Sequence, residues 1–152
     1  MIGTLHSEKH AVKVNGLAIN IIDTPEIYDK RYDDETTLSN VTRYLGLCDF
    51  STLHGVCVLL QPNVSRLSAV FEVCFTDLFK MLPRAALKNV VFCFTHTRTQ
   101  EPDDTIPILR KLLKTSKVDK DVLLSSNTIY CTDIIIIIII ILTIYAAPYA
   151  QR

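Results

Sequence analysis

The chain has 152 residues, of which 16 are basic and 16 are acidic, and 49% of them are hydrophobic. This length suits one domain with its own core, and the balanced charge leaves no net field to recruit nucleic acid or an anionic membrane, so no nucleic-acid partner is expected. The 5 cysteines show no CxxC or zinc-ligand spacing, so we expect reduced cysteines and a cytoplasmic location.

The first predicted elements form an antiparallel hairpin. Alternating residues in His10–Val14 and Leu17–Ile22 flank Asn15-Gly16, a dipeptide that strongly favours a tight hairpin turn. Asp23-Thr24-Pro25 ends the second strand, because proline cannot donate to the hydrogen-bond ladder. Helical spacing then predicts a first helix over Glu35–Leu47.

The middle of the chain alternates apolar strands with helices. Three continuous apolar runs are typical of strands buried on both faces: Gly55–Leu60, Asn89–Phe94 and Asn127–Cys131. Two helices are predicted between them, one capped by Ser65 and ending near Leu82, the other capped by Asp104 and ending at Lys114. This alternation predicts βαβ crossovers, and hence an α/β fold with a mostly parallel sheet.

The C-terminal segment differs in kind from the rest. It contains eight consecutive isoleucines, Ile134–Ile141, and Ile134–Ala147 shows no amphipathic period. The segment is shorter than the roughly 20 residues that a membrane-spanning helix needs. Three interpretations stay open: a translated simple-sequence repeat, a tail anchor that would make the chain membrane-associated, and a buried strand or helix. We divide the chain into a domain of residues 1–133 and a low-complexity tail of residues 134–152.

Two polar loops follow predicted strands and are candidates for chemistry. The first is Asp23-Thr24-Pro25-Glu26, after the hairpin, and the second is Thr95-His96-Thr97-Arg98, after the second buried strand. In chain order, the segments IIDTP, LHGVCVLLQPNVSRLS, KNVVFCFTHTRT, DDTIPILRKLL and NTIYCTD resemble the septin-like and AIG1-like P-loop GTPases, over Val12–Asp133. The alternative is that Asp23 only ends a strand and that Arg98 is a solvated loop residue.

The resemblance implies a G-domain sheet that binds GTP and Mg²⁺. It places these residues at the nucleotide: Asp23, Thr24, Pro25, Glu26, Thr95, His96, Thr97 and Arg98. Asp23 would hold Mg²⁺ through a water, and the second loop would border the guanine base, on which the Arg98 guanidinium could stack. Cys131–Asp133 would lie near the base as well. Septin-like relatives associate through the nucleotide face, which implies a homo-oligomer or a protein partner there.

The sequence departs from the GTPase pattern at three places. It holds no G-x-x-x-x-G-K-[ST] phosphate loop, and the nearest string, Gly3–His10, has Glu8 where the second glycine belongs. Glu26 takes the place of the switch glycine, and His96 takes the place of the base-binding asparagine, which weakens the preference for guanine. We therefore expect an incomplete P-loop NTPase sheet whose central P-loop strand is missing. Two strand edges would then be unpaired unless the sheet closes over the gap, and we expect low stability.

These observations predict a fragment of a GTP-binding G domain that does not hydrolyse GTP. No catalytic residue is assigned, because no residue of the chain supplies the phosphate cradle on which GTP hydrolysis depends. Two alternatives remain: a degenerate G-domain-like module that binds partners without hydrolysis, and a small membrane protein held by its C-terminal tail.

Overall fold

In a computed structural model of the chain, the described residues are 7–24, 39, 53–61, 69–97, 104–132 and 141–146. Within these ranges there are six strands and three helices. In chain order they are β1 Glu8–Val14, β2 Leu17–Asp23, β3 Gly55–Leu60, α1 Ala69–Met81, α2 Arg84–Leu87, β4 Val90–Thr95, α3 Thr105–Thr115, β5 Ile129–Thr132 and β6 Ile141–Ala146. The predicted helix Glu35–Leu47, apart from Ser39, and the predicted cap Ser65 lie outside the described residues.

β1 and β2 form the predicted hairpin, with Val14 opposite Leu17 at its turn. Asn15 and Gly16 have φ values of 50° and 83°, and a type I′ hairpin turn requires positive φ at both central residues. A Cβ placed on Gly16 would meet nothing within 4 Å, so the turn needs glycine for its backbone conformation and not for space. The hairpin prediction is confirmed, and the exposed strand β1 lies at the edge of the sheet.

The three predicted strands are confirmed as β3, β4 and β5, which pair in parallel. The expectation that all three are buried on both faces is wrong for β5, which lies at the edge of the sheet and leaves 53% of Tyr130 exposed. One face of these strands shares a core with α1 and α3, and the side chains at its centre are Val56, Val58, Phe92, Phe94, Phe75, Phe79, Leu109 and Leu113. The Phe75 and Phe79 rings have centroids 4.6 Å apart. The opposite face is less covered, since Cys57, Val91 and Cys93 are only half-buried.

α3 begins at the predicted position, but its predicted cap is wrong. Asp104 precedes α3 with φ −77° and ψ −29°, and its side chain makes no capping hydrogen bond. An N-cap residue normally has a non-helical backbone, which lets its side chain turn back to the first free amides. Asp104 already has helical backbone angles, so it does not cap α3.

The tail strand β6 lies in the middle of the sheet. The strand order is β1-β2-β6-β3-β4-β5. β6 pairs antiparallel with Ile19–Ile22 of β2 on one side and with Gly55–Val58 of β3 on the other. The expectation that these two strand edges would be unpaired is therefore wrong, because a segment from the far end of the chain fills the space between them.

The sheet combines the predicted N-terminal antiparallel hairpin with the three parallel strands β3, β4 and β5. The antiparallel strand β6 between these two parts was not predicted. The length of one connection explains the direction of β6. Only residues 133–140 separate β5 from β6, whereas a parallel return would need a crossover of a dozen or more residues. The chain therefore enters the sheet again from the edge at which β5 ends.

Residues 141–146 of the predicted tail are thus a strand of the sheet. The strand interpretation of the tail is the one that fits them, and Ile134–Ile140 lie outside the described residues. In the part of the chain that the structure describes, no helix is long and apolar enough to cross a membrane.

Candidate functional site

Four strands end at one edge of the sheet. Because β6 is antiparallel to both β2 and β3, β2 runs in the same direction as β3, β4 and β5. Their last residues share an edge, which we call the carboxyl edge: Asp23, Leu60, Thr95 and Thr132. Open α/β sheets bind ligands outside the carboxyl ends of their strands. Both loops singled out in the sequence therefore leave the sheet on the side where a ligand is expected.

The two loops share this edge but are not neighbours. β6 and β3 lie between β2 and β4, so three strand spacings, about 14 Å, separate Asp23 from Thr95. A single metal ion or a small anion could not contact both residues. An extended ligand such as a nucleotide could.

Asp23 ends β2 at the hairpin side of the carboxyl edge. It is half-buried and lies opposite Glu8 in the hairpin register. Thr24 follows, with only 2% of its surface exposed. Pro25 and Glu26, the other two predicted switch residues, lie outside the described residues.

Thr95 ends β4 and anchors the second loop. It is fully buried, and its hydroxyl donates to the Leu60 carbonyl oxygen of β3 at 3.5 Å. His96 Nδ1 lies 3.1 Å from the same hydroxyl oxygen, and the Thr97 amide donates to the Thr132 carbonyl oxygen of β5 at 3.4 Å. The loop is therefore tied to both neighbouring strands before it leaves the sheet. Arg98, its last predicted residue, lies outside the described residues.

His96 has an unusual backbone conformation at this edge. Its φ is 62°, in the left-handed region that costs a residue with a Cβ about 1–2 kcal/mol and that asparagine and glycine adopt more readily. The ring is exposed, and one of its nitrogens is engaged by Thr95. Among the described residues, no hydrogen bond involves the other nitrogen, Nε2, which can act as a donor or as an acceptor depending on the tautomer.

Two buried hydroxyl groups flank the stretch between β4 and α3. The Oγ1 atoms of Thr97 and Thr105 are buried and have no hydrogen-bond partner among the described residues. Thr105 begins α3 and is 1% exposed. Burying a hydroxyl without a hydrogen-bond partner costs free energy. The burial of Thr105 was not predicted, because nothing in the surrounding sequence distinguishes it from an ordinary threonine at the start of a helix.

Magnesium is the metal that the GTPase resemblance implies, and Asp23 is the described residue expected to face it. Mg²⁺ requires near-octahedral oxygen coordination, and in nucleotide sites it takes most ligands from phosphates and water. Across the described ranges, no group of three or more His, Cys, Asp or Glu residues could hold a metal ion. These residues do not fit a magnesium site made by the protein alone.

The cysteines of the sheet are not suited to chemistry. Cys57, Cys93 and Cys131 are free thiols on adjacent strands. Burial raises the pKa of the Cys57 thiol to about 12, and the neighbouring Cys93 adds to the rise. Burial also raises the pKa of Cys93. Because the thiolate is the nucleophilic and metal-binding form, the Cys57 and Cys93 thiols act as small, half-buried apolar groups.

One of three comparisons with known proteins finds a match. The family model of the AIG1 family matches residues 3–132, a range that includes every strand from β1 to β5. No curated protein and no solved structure matches the chain. The resemblance to AIG1-like proteins is thereby confirmed over most of the sequence. The chain belongs to the AIG1 family, a family of P-loop GTPases.

Proposed function

We propose that this chain binds guanine nucleotide weakly at its carboxyl edge and does not hydrolyse GTP. One observation carries the proposal: Asp23 and the Thr95–Thr97 loop end strands that point the same way, three strand spacings apart. Family membership suggests a GTP-binding G domain, and a nucleotide lying along the edge would have its phosphates near Asp23 and its base near the second loop.

The phosphate side is the weak part of the proposed site. In P-loop GTPases the central strand, between the hairpin and the next buried strand, carries the phosphate loop. In this chain β6 lies between β2 and β3, and it runs in the opposite direction. We infer that β6 stands in the place of the P-loop strand. Its sequence, ILTIYA, brings no lysine and no glycine-rich loop, so the phosphates would lack the backbone cradle and the cation that hold them.

On the base side, His96 would replace the asparagine that recognises guanine in the related GTPases. An asparagine amide presents a donor and an acceptor together, whereas Nε2 of His96 presents only one of the two. The bond to Thr95 holds the imidazole ring in place. We therefore expect a modest preference for guanine over adenine.

Mg²⁺ would arrive with the nucleotide. When bound, the ion neutralises charge on the terminal phosphates, and Asp23 is the described residue that would hold one of its waters. The carboxylate of Glu8, opposite Asp23, adds a second negative charge near this position.

A titration of the full chain with Mg·GTP and with Mg·ATP tests the proposal. We expect a Kd for GTP on the order of 1 mM, about −4 kcal/mol, tighter than for ATP, and no phosphate release above the blank. His96→Asn should raise the ratio of GTP to ATP affinity, because the amide pairs with two positions of guanine. The matched control is His54→Asn, an exposed histidine before β3, at the opposite edge of the sheet, which should leave the ratio unchanged.

Two results would contradict the proposal. Equal affinities for GTP and ATP, or no binding at millimolar nucleotide, would remove the guanine-binding part. Phosphate release in proportion to the protein concentration would remove the non-hydrolysing part.

The position of β6 favours a second candidate function, a nucleotide-independent interaction module. The space between β2 and β3 is filled by the chain itself, so the fold does not depend on a bound nucleotide at that place. Such a module would associate through its carboxyl edge equally well with and without Mg·GTP. Sedimentation of the chain under both conditions distinguishes the candidates, since association that changes with nucleotide would exclude the module.

A further inference from the structure

β6 is held in the sheet by main-chain pairing with two strands. It pairs with Ile19–Ile22 of β2 and with Gly55–Val58 of β3, and we call the space between these two segments the central slot. Because backbone groups make the pairing, the slot recognises an extended segment more than a particular side-chain sequence.

The central slot has to be filled for the sheet to be stable. Its walls include some of the most buried side chains of the chain, with Ile22, Val56 and Val58 at 2%, 0% and 1% exposure. Without a strand in the slot, unpaired N–H and C=O groups would lie beside these apolar residues, an arrangement that attracts strands from other molecules. An open slot would therefore capture a strand from elsewhere.

The chain before β6 is longer than the direct path needs. β5 lies three places from β6 in the sheet, about 14 Å away. Residues 133–140 join the two strands, and a stretch of this length reaches roughly 30 Å when it is fully extended. β6 can therefore be placed in the slot of its own sheet or in the slot of an adjacent molecule.

The sequence of β6 is the same in every copy of the chain. The strand is Ile-Leu-Thr-Ile-Tyr-Ala, and only its first residue belongs to the isoleucine run Ile134–Ile141. Its β-branched and aromatic residues favour a strand conformation. The same six residues of a second copy can therefore make the main-chain pairs that the chain's own β6 makes in the slot.

We propose that the central slot exchanges its strand between two copies of this chain, so that β6 of each copy completes the sheet of the other. The occupant is Ile141–Ala146 of the second copy. A second copy fits better than an unrelated chain, because it carries the same strand and has an equal need to fill its own slot. Reciprocal exchange closes with two-fold symmetry and leaves no slot open, and a net charge of +0 does not oppose association.

The test uses a cross-link between opposite positions of β2 and β6. Ile21 and Ile144 are register partners, and directly opposite residues have Cβ atoms about 5 Å apart, within reach of a short thiol-to-thiol reagent. The double variant I21C/I144C is made as ordinary and heavy-isotope protein. The two are mixed equally in denaturant, refolded together and cross-linked, and the 21–144 junction peptide is analysed by mass spectrometry. I19C/A146C repeats the measurement at another rung of the same pairing.

Junction peptides that carry one ordinary and one heavy half arise only between different molecules. If exchange is complete, these mixed-isotope peptides should approach half of all 21–144 junction peptides. The background of random cross-linking between molecules is measured with I21C/L123C, in which the second cysteine replaces an exposed residue outside β6. The mixed-isotope fraction should lie well above that background. Junctions of a single isotope only would overturn the proposal, because β6 would then stay in its own sheet. The proposal would also be overturned if no junction peptide formed in I21C/I144C or in I19C/A146C, because β6 would then not occupy the slot.

Discussion

Thr95 connects two strands and the base-side loop through one hydroxyl group. Valine has nearly the same shape but no hydroxyl, so Thr95→Val would leave the Leu60 carbonyl and His96 Nδ1 without their contacts to it. Because the residue is fully buried, we expect the free energy of unfolding to fall by about 1–3 kcal/mol. Urea unfolding measures the change.

Thr115→Val is the matched control for that substitution. The Thr115 hydroxyl also donates to a backbone carbonyl, that of Lys111 at 3.1 Å, but at an exposed position. Its loss should change stability by less than about 0.5 kcal/mol. Equal losses at the two positions would mean that the hydroxyl of Thr95 has no special role at the carboxyl edge.

The raised pKa of the Cys57 thiol leads us to expect that the chain loses stability in alkaline solution. Burial raises the pKa of its thiol from 9.0 to about 12 in the folded chain. Between these values the unfolded chain has released the proton and the folded chain has kept it, so the free energy of unfolding falls as pH rises. Urea unfolding at a series of pH values above 9 measures this effect. The free energy of unfolding of Cys57→Ala should fall less steeply with pH than that of the unsubstituted chain. Identical slopes would show that the thiol does not remain protonated in the folded state.

The sequence indicated which residues belong to the carboxyl edge, but not how they are connected. Asp23 and Thr95 each end a strand, and the ends of strands can be read from apolar runs followed by polar residues. The contact between Thr95 and Leu60 depends on the register of β4 against β3, which separates the two residues by 35 positions of sequence. Local patterns carry no information about such a pairing.

At the scale of elements, β6 depends on the main-chain groups of Thr143. This residue lies opposite Ile22 on one side and Val56 on the other. Proline at this position cannot donate to a ladder and is not tolerated in a central strand, so Thr143→Pro should destabilise the chain by about 3 kcal/mol or more. Thr143→Val keeps the amide and a β-branched side chain, and it should change stability by less than about 1 kcal/mol. Similar effects of both substitutions in urea unfolding would argue against a paired β6.

β6 is also the element that sequence reasoning could least define. The hairpin, β3, β4 and β5 have local signals, namely a turn dipeptide or a short apolar run between polar loops, and the structure confirms them. The isoleucine run has strand propensity but neither alternation nor turn signals, so it indicates no partner, register or direction. The direction of β6 follows from the short connection to β5, and its place follows from the two edges that the rest of the chain leaves open.

At the scale of the whole molecule, the sheet is completed by residues beyond the family match. The match ends at residue 132, and β6 begins at Ile141. The two parts of the sheet, the hairpin on one side and the parallel strands on the other, are joined through β6 alone in the strand order. The order of the strands inside the family match could be predicted, because each strand has a local sequence pattern. The joining of the two parts was not, because it depends on a segment outside the family pattern.

Deletion of the tail tests this dependence in the complete chain. Removing residues 134–152 eliminates β6 and leaves the edges of β2 and β3 unpaired, so the shortened chain should aggregate at concentrations at which the full chain does not. Removing residues 148–152 keeps β6 and is the matched control, which should behave as the full chain does. Light scattering and circular dichroism at equal concentrations measure both properties. If the chain without residues 134–152 scattered no more light than the control and kept its spectrum, the hairpin and the parallel strands would be stable without β6, and the central slot would have no role in the fold.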